Sequence, residues 1–253
     1  MTSPIALLDV ASYVDGHDFT GDSNSTMLTL GRVPLDRTTF RSRKWTTLTG
    51  GLRSAEFAQK GFWAADTDSV DSAAYNDLSA GDRVHTMAPT EVEGGIAYFW
   101  QAQRFQYQPL EGDIGQLAAF TLNSQGASDI GVVRGKLAVA PFNQATGVAV
   151  TYNATGVAGS EIQLPAVDDD PAQSLYAAVH VLGTPGTTVT LQLQSDVDDT
   201  FASATTQATV GPLTAAGGTW VTPIPGPITD TWWRVNISAI TGTFTLAVAL
   251  GVK

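Results

Sequence analysis

Gly21-Asp22-Ser23 and the Asp82–His85 pair are the residues whose types and spacing come nearest to a catalytic set. A serine nucleophile with a D-x-x-H acid–base pair elsewhere would make a serine hydrolase. That chemistry needs Ser23 at the end of a buried strand, beside a site that stabilises an oxyanion. The residues before Ser23 read DGHDFT, a polar turn, and the D-x-x-H spacing falls mid-chain rather than near the end. A turn is the better account of both.

The other reactive types are scattered. No G-x-S-x-G, phosphate-binding loop, dinucleotide fingerprint or H-E-x-x-H occurs. His17, His85 and His180 lack metal-ligand spacing, and His180 is expected to pack within its strand or reach solvent from it. Asp168-Asp169-Asp170 and Asp196-x-Asp198-Asp199 could collect a hard cation, but neither matches a full calcium loop, and solvated turns explain them. Glu91 with Glu93 and Glu111 with Asp113 are close acidic pairs with nothing around them that suggests a glycosidase. Trp220, Trp232 and Trp233 could stack on a sugar, although core packing accounts for them more simply. The glycosylation triplets at Asn24, Asn153 and Asn236 carry little without a secretory signal. No catalytic residue, metal or cofactor is expected, so the chain reads as architecture rather than as an enzyme.

Composition agrees. The 253 residues are rich in Gly, Ala, Thr and Val, poor in long amphipathic helical patterns, and broken by many turn residues, which points to mainly β structure. No stretch is long and apolar enough to span a membrane, and MTSPIALLDVASYVDG lacks the basic start of a secretory signal. Cysteine is absent, which removes disulfides and thiolate chemistry and fits a reducing compartment. Net charge is −11, with 11 basic and 16 acidic residues through Ala140 and 2 and 8 beyond it. Such a chain is poorly suited to gripping phosphates. It could surround DNA without holding it, or the charge could serve solubility alone.

The elements that must position anything are strands. Gly94–Tyr107, GGIAYFWQAQRFQY, places Ile96, Tyr98 and Trp100 on one side and Ala97 and Phe99 on the other. A strand apolar on both sides is covered on both faces. Past Gln101 the outer positions become Gln103, Arg104, Gln106 and Gln108, so the far end is expected to meet water or a polar partner. Before it, Asp15–Ser25 is a turn cluster and Met27–Val33 a short strand. Asp36–Trp45, DRTTFRSRKW, reads as an exposed loop whose Phe40 and Trp45 either anchor an interface or fold back onto the core. Thr46–Trp63 is assigned as strand with a bulge or bend at Gly61. Ala64–Gly81 is the one helix candidate, with Asp66, Asp68 and Asp71 toward its positive end and Gly81 as terminator. Val84–Glu93, Gly112–Leu122 and Gly131–Ala140 are further strands, with NSQGASD as a turn between the last two.

Charge nearly vanishes across Pro141–Ser160, which sets a boundary between residues 1–145 and 146–253. The second part repeats short strands, including Leu175–Leu182, Thr188–Gln194, Trp232–Ile237 and Thr243–Leu250, divided by GTPG, SDVDD, TAAGG and PIPGP. That spacing predicts a second β-sandwich, immunoglobulin-like or jelly-roll-like.

The order VDGHDFTGDSNS, DRTTF, LTGGLRSAEFAQKGFW, the acidic helix and GDRVHTMAPTEVEGGIAYFWQA resembles the major tail tube proteins of long-tailed, non-contractile (siphovirus-type) bacteriophages. SLYAAVHVLG, LQLQSD, TDTWWRV and FTLAVALGV look like the β-sandwich appended to some of them; Arg41 departs from the small residue expected after Thr-Thr-Phe. The resemblance implies a tube-type β-sandwich or barrel with one flanking helix, and self-assembly into stacked hexameric rings. It also implies a lumen that first holds the tape measure protein and then passes genomic DNA without specific binding, with tail terminator and distal tail proteins at the ends. Location would be the virion tail, after assembly in the host cytoplasm. On this chain it makes Asp36, Thr38, Thr39, Phe40, Arg41, Arg43 and Trp45 the ring-to-ring loop. Ser54, Glu56 and Lys60 would face the lumen, and Gln103, Arg104 and Gln106 would lie on the barrel strand shared within the ring. The alternatives are a carbohydrate-binding or adhesin sandwich, a head decoration protein and the tube of a contractile particle.

Overall fold

The computed structural model describes residues 6–42, 45–66, 69–170 and 172–253. The first part of the chain forms β1 (Ala11–Val14), β2 (His17–Asp18), β3 (Ser23–Asp36), β4 (Leu48–Phe62), helix α1 (Val70–Asp77), β5 (Arg83–Ala88), β6 (Ile96–Glu111), β7 (Ala119–Gly126) and β8 (Val133–Val139). After two short strands, β9 (Phe142–Asn143) and β10 (Val148–Ala149), come β11 (Gly156–Gln163), β12 (Ser174–Leu182), β13 (Thr188–Asp196) and β14 (Thr205–Leu213). The described chain finishes with β15 (Gly217–Trp220), β16 (Ile224–Pro225), β17 (Trp232–Thr241) and β18 (Thr245–Val252). The fold is mainly β with one short helix, as the composition predicts.

β6 is the axis. Its dry half carries Ala97 and Phe99 into a cluster with Ala11, Tyr13, Leu137 and Ala249. The opposite face sends Trp100 and Ala102 against Phe57. Both faces are therefore covered, as alternating apolar residues on both sides of a strand require. Along this half β5 pairs on one edge and β8 on the other; from Ala102 onward β7 takes over the β8 edge. β7 pairs β4, and β4 pairs β3, which makes a four-stranded antiparallel branch, β3-β4-β7-β6. The branch is an open sheet that does not close into a barrel within one chain.

In the second part β11-β17-β13-β14 form one sheet. It packs on β12, β18 and β8 through Leu175, Leu191, Trp233, Val235, Phe244, Leu246 and Val248. Val189, Leu191 and Leu193 are buried and alternate with half-buried Thr190, Gln192 and Gln194, the period-two pattern of a sandwich strand. The sandwich borrows β8 from the first part: Val248 pairs Val139 and Leu250 pairs Lys136, so one sheet runs through both parts. Close approach at this seam explains Gly135, where a Cβ would lie 2.0 Å from the Leu250 carbonyl oxygen.

Several boundaries differ from the sequence reading. The strand expected at Met27–Val33 is twice as long, because polar Ser23–Thr26 and Pro34–Asp36 also pair with β4. Asn123–Gly126, expected as a turn, continues β7, since Asn123–Gln125 pair with Glu56–Ala58 of β4 and Gly126 pairs with Ala102 of β6. The irregularity expected at Gly61 lies across from it: Ser23 pairs Gly61 and Ser25 pairs Lys60, so Asn24 is the extra residue. The helix is shorter than Ala64–Gly81. It begins at Val70 after Ser69 and ends at Leu78, whose N–H bonds the Tyr75 carbonyl, so Gly81 does not terminate it. Asp71 sits in its first turn, whereas Asp68 falls outside the described residues.

Candidate assembly surface

Residues opposite each other in an antiparallel sheet share a face. In the branch, Thr29, Glu56, Gln125 and Gln103 form one cross-strand row; Met27, Ala58, Asn123 and Gln106 form the next; Ser25, Lys60, Thr121 and Gln108 form a third. Gly31 and Ser54 extend the same face toward the hairpin end. Ser54, Glu56, Lys60, Gln103 and Gln106 thus share one face, assembled from strands far apart in sequence. Hydrogen bonds from Asn123 to Gln106 (2.7 Å) and from Thr121 to Glu111 (3.2 Å) tie β7 to β6 on this face. Among these residues Glu56 and Glu111 oppose Lys60, −2 + 1 = −1. The face is polar through amides and hydroxyls, with little net charge.

Arg104 is the exception, and its expected exposure is corrected. It sits in the intervening row with Leu28, Phe57 and Ser124, on the opposite face, and is 4% exposed. Its Nη2 donates to Asp77 Oδ2 at 3.1 Å, and its guanidinium lies 5.7 Å from the Phe19 ring centre. Burial pushes the guanidinium pKa down and the Asp77 carboxylate opposes that shift. The charge meets a polar partner, as expected, but that partner is the chain's own helix. Asp77 also contacts Arg83 Nε at 2.9 Å, and Arg83 in turn donates to Asp15 at 2.6 Å.

Helix α1 covers this inner face. Val70 and Ala74 pack on Phe19, Phe120 and Leu122. Asp71 accepts hydrogen bonds from the Trp63 indole (3.1 Å) and the Tyr107 hydroxyl (2.6 Å). Burial and the neighbouring Asp71 carboxylate raise the Tyr107 pKa above its ordinary value. His85 stacks on Trp100 with ring centres 5.4 Å apart, and burial holds its pKa well below the ordinary value. His180 Nδ1 donates to the Asp15 carbonyl and Nε2 accepts from Thr86, both at 2.8 Å. Nothing in this geometry resembles a nucleophile with a base, and Ser23 accepts a hydrogen bond from Gln59 instead.

Two edges of the branch are open. β3 pairs with β4 alone, and beyond Ala102 β6 pairs with β7 alone among the described residues. Unpaired strand edges are templates for further pairing. The β3–β4 hairpin carries the Asp36–Trp45 loop at its tip, where Phe40 and Trp45 stand in solvent rather than folding back, Trp45 at 80% exposure. Internal bonds fix the tip: Thr38 N–H to Asp36, Ser42 N–H to the Thr39 carbonyl, Trp45 N–H to the Ser42 carbonyl and Thr47 N–H to Thr38. Arg43 lies outside the described residues. Asp77 and Gln59 were missed in the sequence, where the only signal was a carboxylate or amide on a face otherwise apolar; Asp71 was placed at the start of the helix, but not as the acceptor for Trp63 and Tyr107.

No family model matches the chain, and no curated protein matches it. Among solved structures, the chain is similar to a protein of the native gene transfer agent virion, at 18% identity over 47% of this chain and 92% of that one, TM-score 0.40. It is also similar to a chain of the sheath–tube complex of an extracellular contractile injection system, at 10% identity over 53% and 92%, TM-score 0.41. A third is the SPP1 Dit (gp 19.1) protein of a phage hub adsorption apparatus, at 11% identity over 96% and 99%, TM-score 0.37.

Proposed function

We propose that this chain is a structural subunit of a phage tail tube, assembling into hexameric rings that stack around a lumen through which genomic DNA leaves the virion. The carrying observation is the four-stranded branch with one polar face and two open edges. Its strands alternate in direction and their number is even, so the β3 edge of one copy meets the β6 edge of the next in antiparallel sense. Head-to-tail pairing of this kind closes into a ring and leaves no free edge. Six copies of four strands at about 4.8 Å per strand give a wall roughly 115 Å around, more once the strands tilt. The Ser54–Glu56–Lys60 and Gln103–Gln106 face would line the bore. Amide and hydroxyl groups with almost no positive charge offer phosphates no grip, so DNA slides. Helix α1 and the second sandwich then lie outside, and the tape measure, terminator and distal tail proteins are the partners such a tube requires.

Negative-stain microscopy of the purified protein tests this. Rings or hollow tubes are expected; a protein that stays monomeric at high concentration and binds a glycan column would overturn the reading in favour of an adhesin sandwich.

A further inference from the structure

β3 connects two features, one at each of its ends. Its far end leads into the tip with Phe40 and Trp45, and its first residues, Ser23–Thr26, line a cavity of about 710 Å³. Fourteen residues at about 3.3 Å each separate the two ends by roughly 45 Å. One chain therefore presents a projection at one end of the strand and a recess at the other.

The recess suits what the tip carries. Leu7 and Leu8 give it an apolar rim, 62% and 83% exposed, with Asp9, Asp18 and Glu91 in its walls. Gln59, fully buried, also lines it. Its Nε2 donates to Ser12 and Ser23, while its Oε1 has no partner although it is shut off from solvent. A wall bearing three carboxylates favours a partner that brings cationic or N–H donors. The tip sequence offers Arg37, Arg41, Arg43 and Lys44 against the one acid Asp36, together with the Trp45 indole N–H and two exposed aromatic rings. Aromatic and arginine side chains on a preorganised turn are the usual anchors of a protein interface.

We propose that this cavity is the seat for the β3–β4 hairpin tip of a second copy stacked end-on. The inference rests on the tube reading and adds the acceptor surface to it. The contact is heterologous, one end of the strand against the other, so each copy leaves a fresh tip and a fresh cavity and the stack extends.

The chain contains no cysteine, which makes disulfide trapping clean. Under mild oxidation of assembled protein, the Leu8→Cys/Phe40→Cys double variant is expected to give a ladder of cross-linked species above the dimer on non-reducing gels. Either single variant gives dimers at most. An Ile114→Cys/Phe40→Cys control, aimed at the exposed β6–β7 loop at the same end of the sheet, should give no ladder. Tubes without a Leu8–Phe40 ladder, or a ladder in the Ile114 control instead, overturn this seat and leave the tube reading standing. Absence of rings and tubes by microscopy overturns both.

Discussion

The Arg104 guanidinium sits 3.1 Å from the Asp77 carboxylate, joining the wet half of β6 to the helix that covers it. A buried pair is costly to break from one side, because the survivor stays charged without a partner. Arg104→Glu places two carboxylates together and should destabilise the monomer by about 3–5 kcal/mol or more. Arg104→Met adds no second carboxylate and leaves Asp77 its Arg83 contact at 2.9 Å, so it is expected to lie nearer the wild type than Arg104→Glu. Urea unfolding of the monomer distinguishes them; equal stability of the two variants would show that the pair does not hold the helix.

Trp100 is buried between Phe57 and His85 at ring-centre distances of 5.4 Å each. Trp100→Ala should cost roughly 3–5 kcal/mol by emptying that space. The same unfolding measurement checks it, and a loss below about 1 kcal/mol would mean that the two faces of β6 are not a packed core.

His180 gives a pH prediction. Burial holds its pKa at about 4, against 6.5 in the ordinary state. Between these values the unfolded chain binds a proton that the folded chain refuses, so stability is full above pH 6.5 and falls as pH drops toward 4. The single-site loss is about 3 kcal/mol at most. Asp15, Asp18 and Glu91, all raised by burial, act in the opposite sense, because the folded state keeps their protons to higher pH. The comparison that isolates His180 is the fall in stability from pH 7 to pH 4.5 in wild type against His180→Gln. A shallower slope in the variant is expected, and parallel slopes would exclude the histidine as the source.

Gly61 is held by backbone. A Cβ there would lie 1.9 Å from the Asp22 carbonyl oxygen, which accepts the Phe62 N–H at 2.9 Å. Gly61→Ala must therefore move a strand rather than a side chain, at a cost of about 1–3 kcal/mol. Gly21→Ala, with open space around it, is the control. Similar melting temperatures for the two would refute the close approach.

Phe40→Ser should leave the monomer within about 0.5 kcal/mol of wild type, since the ring is fully exposed. Sedimentation should nevertheless show shorter assemblies. Normal tubes from this variant would remove Phe40 from the proposed contact between rings.

The strands were legible where their apolar residues alternate. Val189, Leu191 and Leu193 announce β13, and Ala97, Phe99 and Trp100 announce a strand buried on both sides. The shared face of Ser54, Glu56 and Lys60 follows from period two alone, and Gln103 and Gln106 join it once the register is known. Arg104 was misread because a charge on an otherwise polar stretch looks solvated; its partner Asp77 lies 27 residues earlier, and only the tertiary fold brings them together. The long β3–β4 hairpin was underestimated for a related reason. Ser23–Thr26 and Pro34–Asp36 are poor strand formers by type, and pairing with β4 overrides that preference.

β18 lies between β12 and β8, so its residues complete the sheet that begins in the first part of the chain. The two parts are consequently not a cassette and its carrier. A cut within Pro141–Ser160 would bare one edge of β8 and strip Ala138 and Val139 of the sandwich they pack against. Exchanging the second part for another sandwich would require compensating changes at Gly135 and along β8. This seam makes the two parts one folding unit, although composition divides them.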